Sequence, residues 1–404
     1  MSVPAESADG LARGQRAPDA DVAVIGLGAM GSAALWQLAR RGTRVIGIDR
    51  FTPPHAEGST HGRTRIIREA YFEHPLYVPL VQRAYAMWDE LARASGERLF
   101  LATGGLMLGP AEGALVAGAL RSAREHGLAY ELVDAREIAR RYPALAPPPG
   151  DVGVIEPRAG LVFPELGVRT MLAAARAAGA DVRTGARVRA WSATPHGVRV
   201  TTDAGEIAAR RAIIAAGAWM PALVPELAPS LTVTREMGHW FAPRARAELF
   251  RADRMPILLW EFARDRFFYS LPDVGDGFKA SIHHEGHAID PDAPRAPVTD
   301  VETQDVRDLL DRLMPDASGR LLDRNTCLYT NTPDEHFAIG AHPAHANVTL
   351  VSACSGHGFK FAPAIGELLA QLVLDGAASF DLSPFALARL WRPVVPHTAL
   401  APTP

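Results

Sequence analysis

The sequence predicts an α/β chain in which a Rossmann-type dinucleotide-binding domain is interleaved with a β-rich α+β domain. Three observations predict this. A strand, a glycine-rich turn, a helix and a second strand follow one another from Asp21 to Asp49. From about residue 235 the pattern turns to β, in GHWFAP, ILLWEF, RFFYSLP and GFKASIHH. Near the end α/β patterning returns, in NVTLVSA and PAIGELLAQLVLDG. A chain of 404 residues, 48% hydrophobic and 22% charged, can bury a large core and form two domains.

The first element is the apolar strand Asp21–Ile25. It enters Gly26-Leu27-Gly28-Ala29-Met30-Gly31, and SAALWQLARRG then reads as a helix ending at Gly42. The strand RVIGI ends at Asp49, 23 positions after Gly26. Gly26, Gly28 and Gly31 allow a tight turn and close approach to a pyrophosphate. The helix N-terminus offers free N–H groups to that anion, and Asp49 is placed to accept from a ribose. The motif alone leaves NAD and FAD both open.

A long polar segment with Pro53 and Pro54 follows, then helical patterns in LYVPLVQRAYAMWDELARAS and near 111–127, with strand-like LATGGLMLG between them. The Pro-rich stretch 142–151 reads as a domain crossing. Residues 164–180 read as a helix, the next 25 as two or three strands, and RRAIIAAGAW as a strand running into Gly217. Residues 302–314 read as helical.

Net charge is -3 and pI about 6.5, which points to no nucleic-acid partner and no anionic membrane surface. No apolar run reaches the roughly 18 residues that span a bilayer. Residues 1–18 lack an apolar core and read as a disordered tail, so a cytoplasmic protein is expected. Two cysteines, Cys327 and Cys354, build neither a disulfide framework nor a zinc site, and no metal is expected. Of 42 basic Lys and Arg residues only Lys279 and Lys360 are lysine. Against an Arg-rich background, a retained lysine suggests a need for a compact, titratable ammonium.

Several stretches together resemble one family. DVAVIGLGAMGSAA, PPHAEGSTHGRTRIIREAY, ATGGLMLGP, CLYTNTPDEHFAIGAHP, SGHGFKFAPAIGE and DLSPFALAR occur in the order found in the monomeric sarcosine oxidase and N-methyltryptophan oxidase family. The resemblance implies FAD, with residues 19–95, 153–232 and 322–390 forming the FAD-binding domain. Residues 96–152 and 233–321 would form the substrate domain, and 391–404 a C-terminal tail.

It also implies roles. Arg68 would clamp a substrate carboxylate with Lys360, and Arg65 would lie near the flavin ring, with Thr64 on the cofactor side. In TRIIR the two arginines share a face if the segment is helical. The family often reads HHGDTR where this chain has THGRTR, so Thr60 and Arg63 change the local charge. FKASIHH reads as a strand, which puts Lys279 and His283 on one face about 13 Å apart. By resemblance Lys279 assists electron transfer to O2, where a fixed cation stabilises superoxide. His283 would sit near the substrate amine, and Tyr269 matches an active-site tyrosine if one gap is allowed.

In the family the cysteine at Cys327 carries the flavin through a thioether to the 8α-methyl group. That chemistry needs a thiolate, so the surroundings are expected to lower the thiol's pKa or stabilise reduced flavin. Cys354 reads as a small buried hydrophobe. Gly356 and Gly358 would let backbone approach the flavin. The implied activity is FAD-dependent oxidation of a small secondary amino acid to an imine, with O2 reduced to H2O2, by a monomer. Three other readings stand: a flavin oxidase of a cyclic imino acid such as pipecolate or a biosynthetic intermediate, an NAD-dependent hydroxyacid dehydrogenase, and a catalytically idle flavoprotein.

Overall fold

The structure is a computed structural model that describes residues 17–391. The expected tails, 1–18 and 391–404, therefore lie almost wholly outside the described residues.

The first sheet is built around strand Ala20–Ile25. It pairs in parallel with Val45–Ile48 on one side and with Gly205–Ile214 on the other. Val45–Ile48 pairs in turn with Asp181–Arg183, and Gly205–Ile214 with His345–Ser352, again in parallel. The central strands Ala20–Ile25 and Val45–Ile48 are short, almost wholly buried runs because both faces are covered. Helices Ala29–Ala39, Pro164–Ala177 and Ala362–Asp375 share one core with Val22, Val24 and Ile213. On the other face Ala23, Ile25 and Ile214 meet Val198 and Val200 of an antiparallel meander. Ala29–Ala39 and Ala362–Asp375 approach closely: a Cβ on Gly366 would lie 2.6 Å from the Ala33 Cβ.

The second sheet has nine strands and is mixed. Its centre is Thr232–Phe241, Phe278–His283, Arg266–Leu271 and Ile257–Ala263, in that order. Leu321–Asn331 pairs along nearly the whole of Thr232–Phe241. Gly105–Pro110, Asp151–Glu156 and Glu131–Asp134 extend the far edge. Helix Asp300–Leu313 covers it with Val306, Leu309, Leu310 and Leu313, and starts in a Thr299–Glu302 capping box. The chain thus enters the first sheet, leaves, returns at 181–214, leaves again and returns at 345–352, which is the interleaving expected.

Two local expectations are corrected. TRIIR is not helical: Arg65–Ile67 is a strand in a small three-stranded sheet, antiparallel to Gly160–Val162. The β-branched pair Ile66-Ile67 suits an extended chain with a ready partner. The Pro-rich stretch 142–151 is not a crossing, because it joins helix Ala135–Arg141 to Asp151–Glu156, which pairs back onto Glu131–Asp134.

Candidate active site

One cavity runs from the glycine turn to the sheet face that carries Lys279 and His283. Gly26, Gly28 and Asp49 line one end; Thr64, Arg65, Arg68, Tyr269, Cys327 and Lys360 line the other, with Gly217, Gly356 and Gly358 also on its wall. Gly31 is the predicted site residue that does not line it. A Cβ there would fall 1.7 Å from the Gly26 carbonyl oxygen, so Gly31 closes the turn against the strand and faces no ligand.

The nucleotide end suits a dinucleotide. Gly28 and Met30, at the start of helix Ala29–Ala39, face the cavity, and a Cβ on Gly28 would meet only Thr60 Oγ1, at 3.5 Å. Thr60 accepts from the Ala29 N–H at 3.3 Å, so this departure from the family pattern serves the helix terminus. Asp49 Oδ2 accepts from Leu27 N–H at 2.7 Å and Oδ1 from Phe51 N–H at 2.8 Å. A carboxylate has about four acceptor positions, so capacity for a ribose hydroxyl remains.

At the other end four basic side chains converge, Lys279, Arg65, Lys360 and Arg68. Lys279, 3% exposed, donates to Gly62 O at 2.8 Å and Thr64 O at 3.1 Å, and lies 5.0 Å from the Trp240 ring centroid. Burial, then Arg65, pushes its pKa well below the ordinary lysine value. Arg65 donates to Thr64 O and Ser59 O. Lys360 donates to His357 O at 2.6 Å and Tyr71 Oη at 3.3 Å; burial and then Arg68 push its pKa down to about 7. The Tyr71 hydroxyl accepts from that ammonium and so donates to His357 Nδ1, 2.6 Å away. His357 Nε2 then donates to Glu335 O at 3.0 Å, which assigns its neutral tautomer.

Arg68, expected to clamp a substrate carboxylate, is occupied by the chain itself. It already grips a carboxylate: Nη2 donates to both oxygens of Glu73, at 2.8 and 2.7 Å, and Nη1 to Ala70 O. Arg68, with Lys360 behind it, holds Glu73 below the usual carboxylate range despite its burial. Glu156 fixes the next two residues by accepting from Glu69 and Ala70 N–H, both at 2.8 Å.

His283 lies 3.3 Å from the Tyr329 hydroxyl through Nδ1, and burial, then His284, pushes its pKa well below the ordinary value. A neutral imidazole therefore faces the cavity at physiological pH. Tyr269 lies across from it, with ring centroids 6.4 Å apart. For Cys327 the first of the two expected routes is not met: burial raises its pKa more than Arg65 and Lys279 lower it. In the chain by itself the thiol is the favoured form, because desolvation outweighs two nearby cations. Cys354 is half-buried and also lines the cavity, so it is not a core residue. Arg63 points away: it stacks over Trp240, pairs with Asp323 and lines a separate surface pocket.

Sequence reasoning missed Glu73, Tyr71, Tyr329 and His357. Tyr329 had a signal, since it lies two residues after Cys327 on a strand and shares its face. Glu73 and Tyr71 had none, because their placement depends on how the chain turns after Arg68. Among the described residues no helix is long and apolar enough to cross a membrane.

Comparison with known proteins agrees with this geometry. The family described as FAD dependent oxidoreductase matches residues 21–372, which overturns the nicotinamide reading. The chain is 41% identical to a monomeric sarcosine oxidase of Streptomyces avermitilis over 92% of its own length and 98% of the relative's. It is 36% identical to an N-methyl-L-tryptophan oxidase of Salmonella dublin, over 91% and 98%. Among solved structures, NikD, an unusual amino acid oxidase essential for nikkomycin biosynthesis, superposes in its open form with a TM-score of 0.79. That likeness, at 22% identity over 94% of this chain and 99% of NikD, concerns the fold. The chain belongs to the FAD-dependent oxidoreductases, in their monomeric sarcosine oxidase and N-methyltryptophan oxidase family.

Proposed function

We propose that this protein oxidises a small secondary amino acid, N-methylated or cyclic, to its imine, with O2 as electron acceptor and H2O2 as product. The observation that carries this reading is the single cavity joining a dinucleotide turn to Arg68, Lys360, His283 and Lys279. FAD supplies the two-electron redox chemistry, and the protein supplies position and charge. Gly26, Gly28, Thr60 and Asp49 would hold its nucleotide, and Cys327 would hold the ring covalently.

Arg68 and Lys360 bind the substrate carboxylate after Glu73 yields its place on the arginine. Arg offers a planar fork and Lys a point charge, so the carboxylate is fixed in orientation as well as position. Neutral His283 accepts from the amine or donates to its lone pair without adding a second positive charge. Tyr269 and Tyr329 line the cavity on either side of His283 and give it an apolar wall there. Lys279 stabilises negative charge on reduced oxygen. The protein acts as a cytoplasmic monomer in this reading.

The test is acid precipitation of the purified protein followed by product analysis. Flavin that stays with the pellet supports the thioether; flavin released to the supernatant leaves a noncovalent flavoenzyme. Formaldehyde identifies an N-methyl substrate, and a cyclic imine identifies a cyclic one. Absence of H2O2 with every secondary amino acid offered would defeat the oxidase reading.

A further inference from the structure

Glu165 carries no expected role. It lies in the first turn of helix Pro164–Ala177. Its Oε1 accepts two successive backbone N–H groups, from Gly62 at 2.6 Å and from Arg63 at 3.0 Å. Both residues are left-handed, with φ of 99° and 67°. Consecutive N–H groups in such a turn form a concave anion site. Gly62 cannot readily be replaced there: a Cβ would lie 2.9 Å from Arg65 Nη1 and 3.5 Å from Lys279 Nζ.

The other end of the same peptide group faces Lys279. The Arg63 N–H donates to Glu165, and the Gly62 C=O of that peptide accepts from Lys279 Nζ at 2.8 Å. Carboxylate and ammonium are thus bonded to opposite ends of one amide. A carboxylate on the N–H end polarises the amide and strengthens its carbonyl as an acceptor. Lys279 has need of this. Its two hydrogen-bond partners are carbonyls. The charged and titratable groups acting on it are Arg65 and Arg63, which oppose its protonation, His61, the Cys327 thiol and Glu165. His61, with a pKa pushed down to about 3 chiefly by burial, is neutral, and Glu165 is the carboxylate among these groups, acting to favour the ammonium.

We propose that Glu165 is a positioning residue that holds Lys279 in place and charged through the Gly62–Arg63 peptide. The proposal rests on the assignment of Lys279 to the oxygen half-reaction.

The sequence makes the test direct, because Lys279 and Lys360 are its two lysines. Lysine labelled with 13C at the ε-carbon gives two side-chain signals in the holoenzyme, assigned with K279M. E165Q keeps an acceptor for both N–H groups and removes the charge. The expected result is a Lys279 titration midpoint lowered by roughly one unit, with the Lys360 midpoint unmoved. Flavin reoxidation by O2 slows over the same pH range, while the rate of flavin reduction and the substrate KM stay as in the wild type. A Lys279 midpoint unmoved in E165Q would overturn the proposal, since a purely structural carboxylate is replaced by the amide without electrostatic effect. E165A, which also frees both N–H groups, is secondary; if it fails to fold, E165Q still decides. If K279M reoxidises at the wild-type rate, the oxygen role of Lys279 fails, and the midpoint shift still decides whether Glu165 supports its charge.

Discussion

At the scale of single residues, burial decides how the site responds to pH. Lys360 has its pKa pushed down to about 7 from 10.5, first by desolvation and then by Arg68. Its folded-state value is below its unfolded value, so the folded protein binds fewer protons between about 7 and 10.5. The cost of burying the ammonium is therefore present below that window and relieved as pH rises through it. Ligand binding runs the other way. A carboxylate analogue lacking the amine should bind more weakly as pH rises through about 7, and flavin absorbance perturbation measures this. K360M should remove the dependence, leaving the binding that Arg68 alone supports.

Glu73 gives a second residue-scale prediction. It is a carboxylate of the protein's own on the arginine proposed above to bind the substrate. E73Q should tighten binding of the same analogue because the competitor loses its charge. It should also destabilise the ligand-free protein by on the order of 3 kcal/mol, since Arg68 is left buried and uncompensated. Thermal unfolding with and without the analogue checks both; loss of stability that the analogue does not restore would count against competition.

Among the elements, the helix pair Ala29–Ala39 and Ala362–Asp375 shows how packing serves the cofactor. The first helix presents its N-terminus to the cavity, and the second packs against it. At Gly366 the contact is backbone-limited, because an added Cβ lies 2.5 Å from the Ala33 carbonyl carbon. G366A should cost roughly 1–3 kcal/mol by forcing the helices apart. In a C327S background it should also weaken FAD retention, measured by flavin released on gel filtration. Helix Asp300–Leu313 is a contrasting case. T299A removes its capping box and should cost ~1 kcal/mol, with no effect on FAD, because this helix covers the second sheet away from the nucleotide.

Across the whole molecule, the second sheet closes over the cavity of the first. Asp292, in the segment after the strand Phe278–His283, accepts from Trp219 Nε1 at 2.8 Å and pairs with Arg50 and Arg187. Those three residues line the nucleotide end of the cavity. Arg295, from the same segment, donates to the Ala56 and Glu57 carbonyls. D292A in a C327S background should therefore speed FAD dissociation about fivefold, equivalent to ~1 kcal/mol for partly exposed ion pairs. Stopped-flow flavin fluorescence reads it, and an unchanged rate would mean that the segment does not restrain the cofactor.

Parts of the fold whose signals are local were legible in the sequence. The βαβ unit at Asp21–Asp49 is a short-range pattern of apolar strand, glycines and helix, and it folds as read. The β-rich stretches from 235 to 283 and the returning C-terminal elements are equally periodic, so the interleaving could be read before any contact was known. Family motifs brought Arg68, Lys279, His283, Cys327 and Lys360 forward, and one cavity contains them all. Tertiary structure decided what depends on partners distant in the chain. Arg65–Ile67 became a strand because Gly160–Val162 lies beside it, which three residues cannot announce. Gly31 belongs to the turn and not the ligand, because the Gly26 carbonyl occupies the space a side chain would need. The thiol of Cys327 is raised, not lowered, because desolvation acts over the whole surroundings while the motif names only its chemistry. Glu73 on Arg68, and Glu165 beneath the Lys279 carbonyls, are contacts set by chain turns and by a helix 103 residues away from Gly62. Charge, burial and hydrogen bonding are properties of neighbours in space, and those neighbours exist only once the chain has folded.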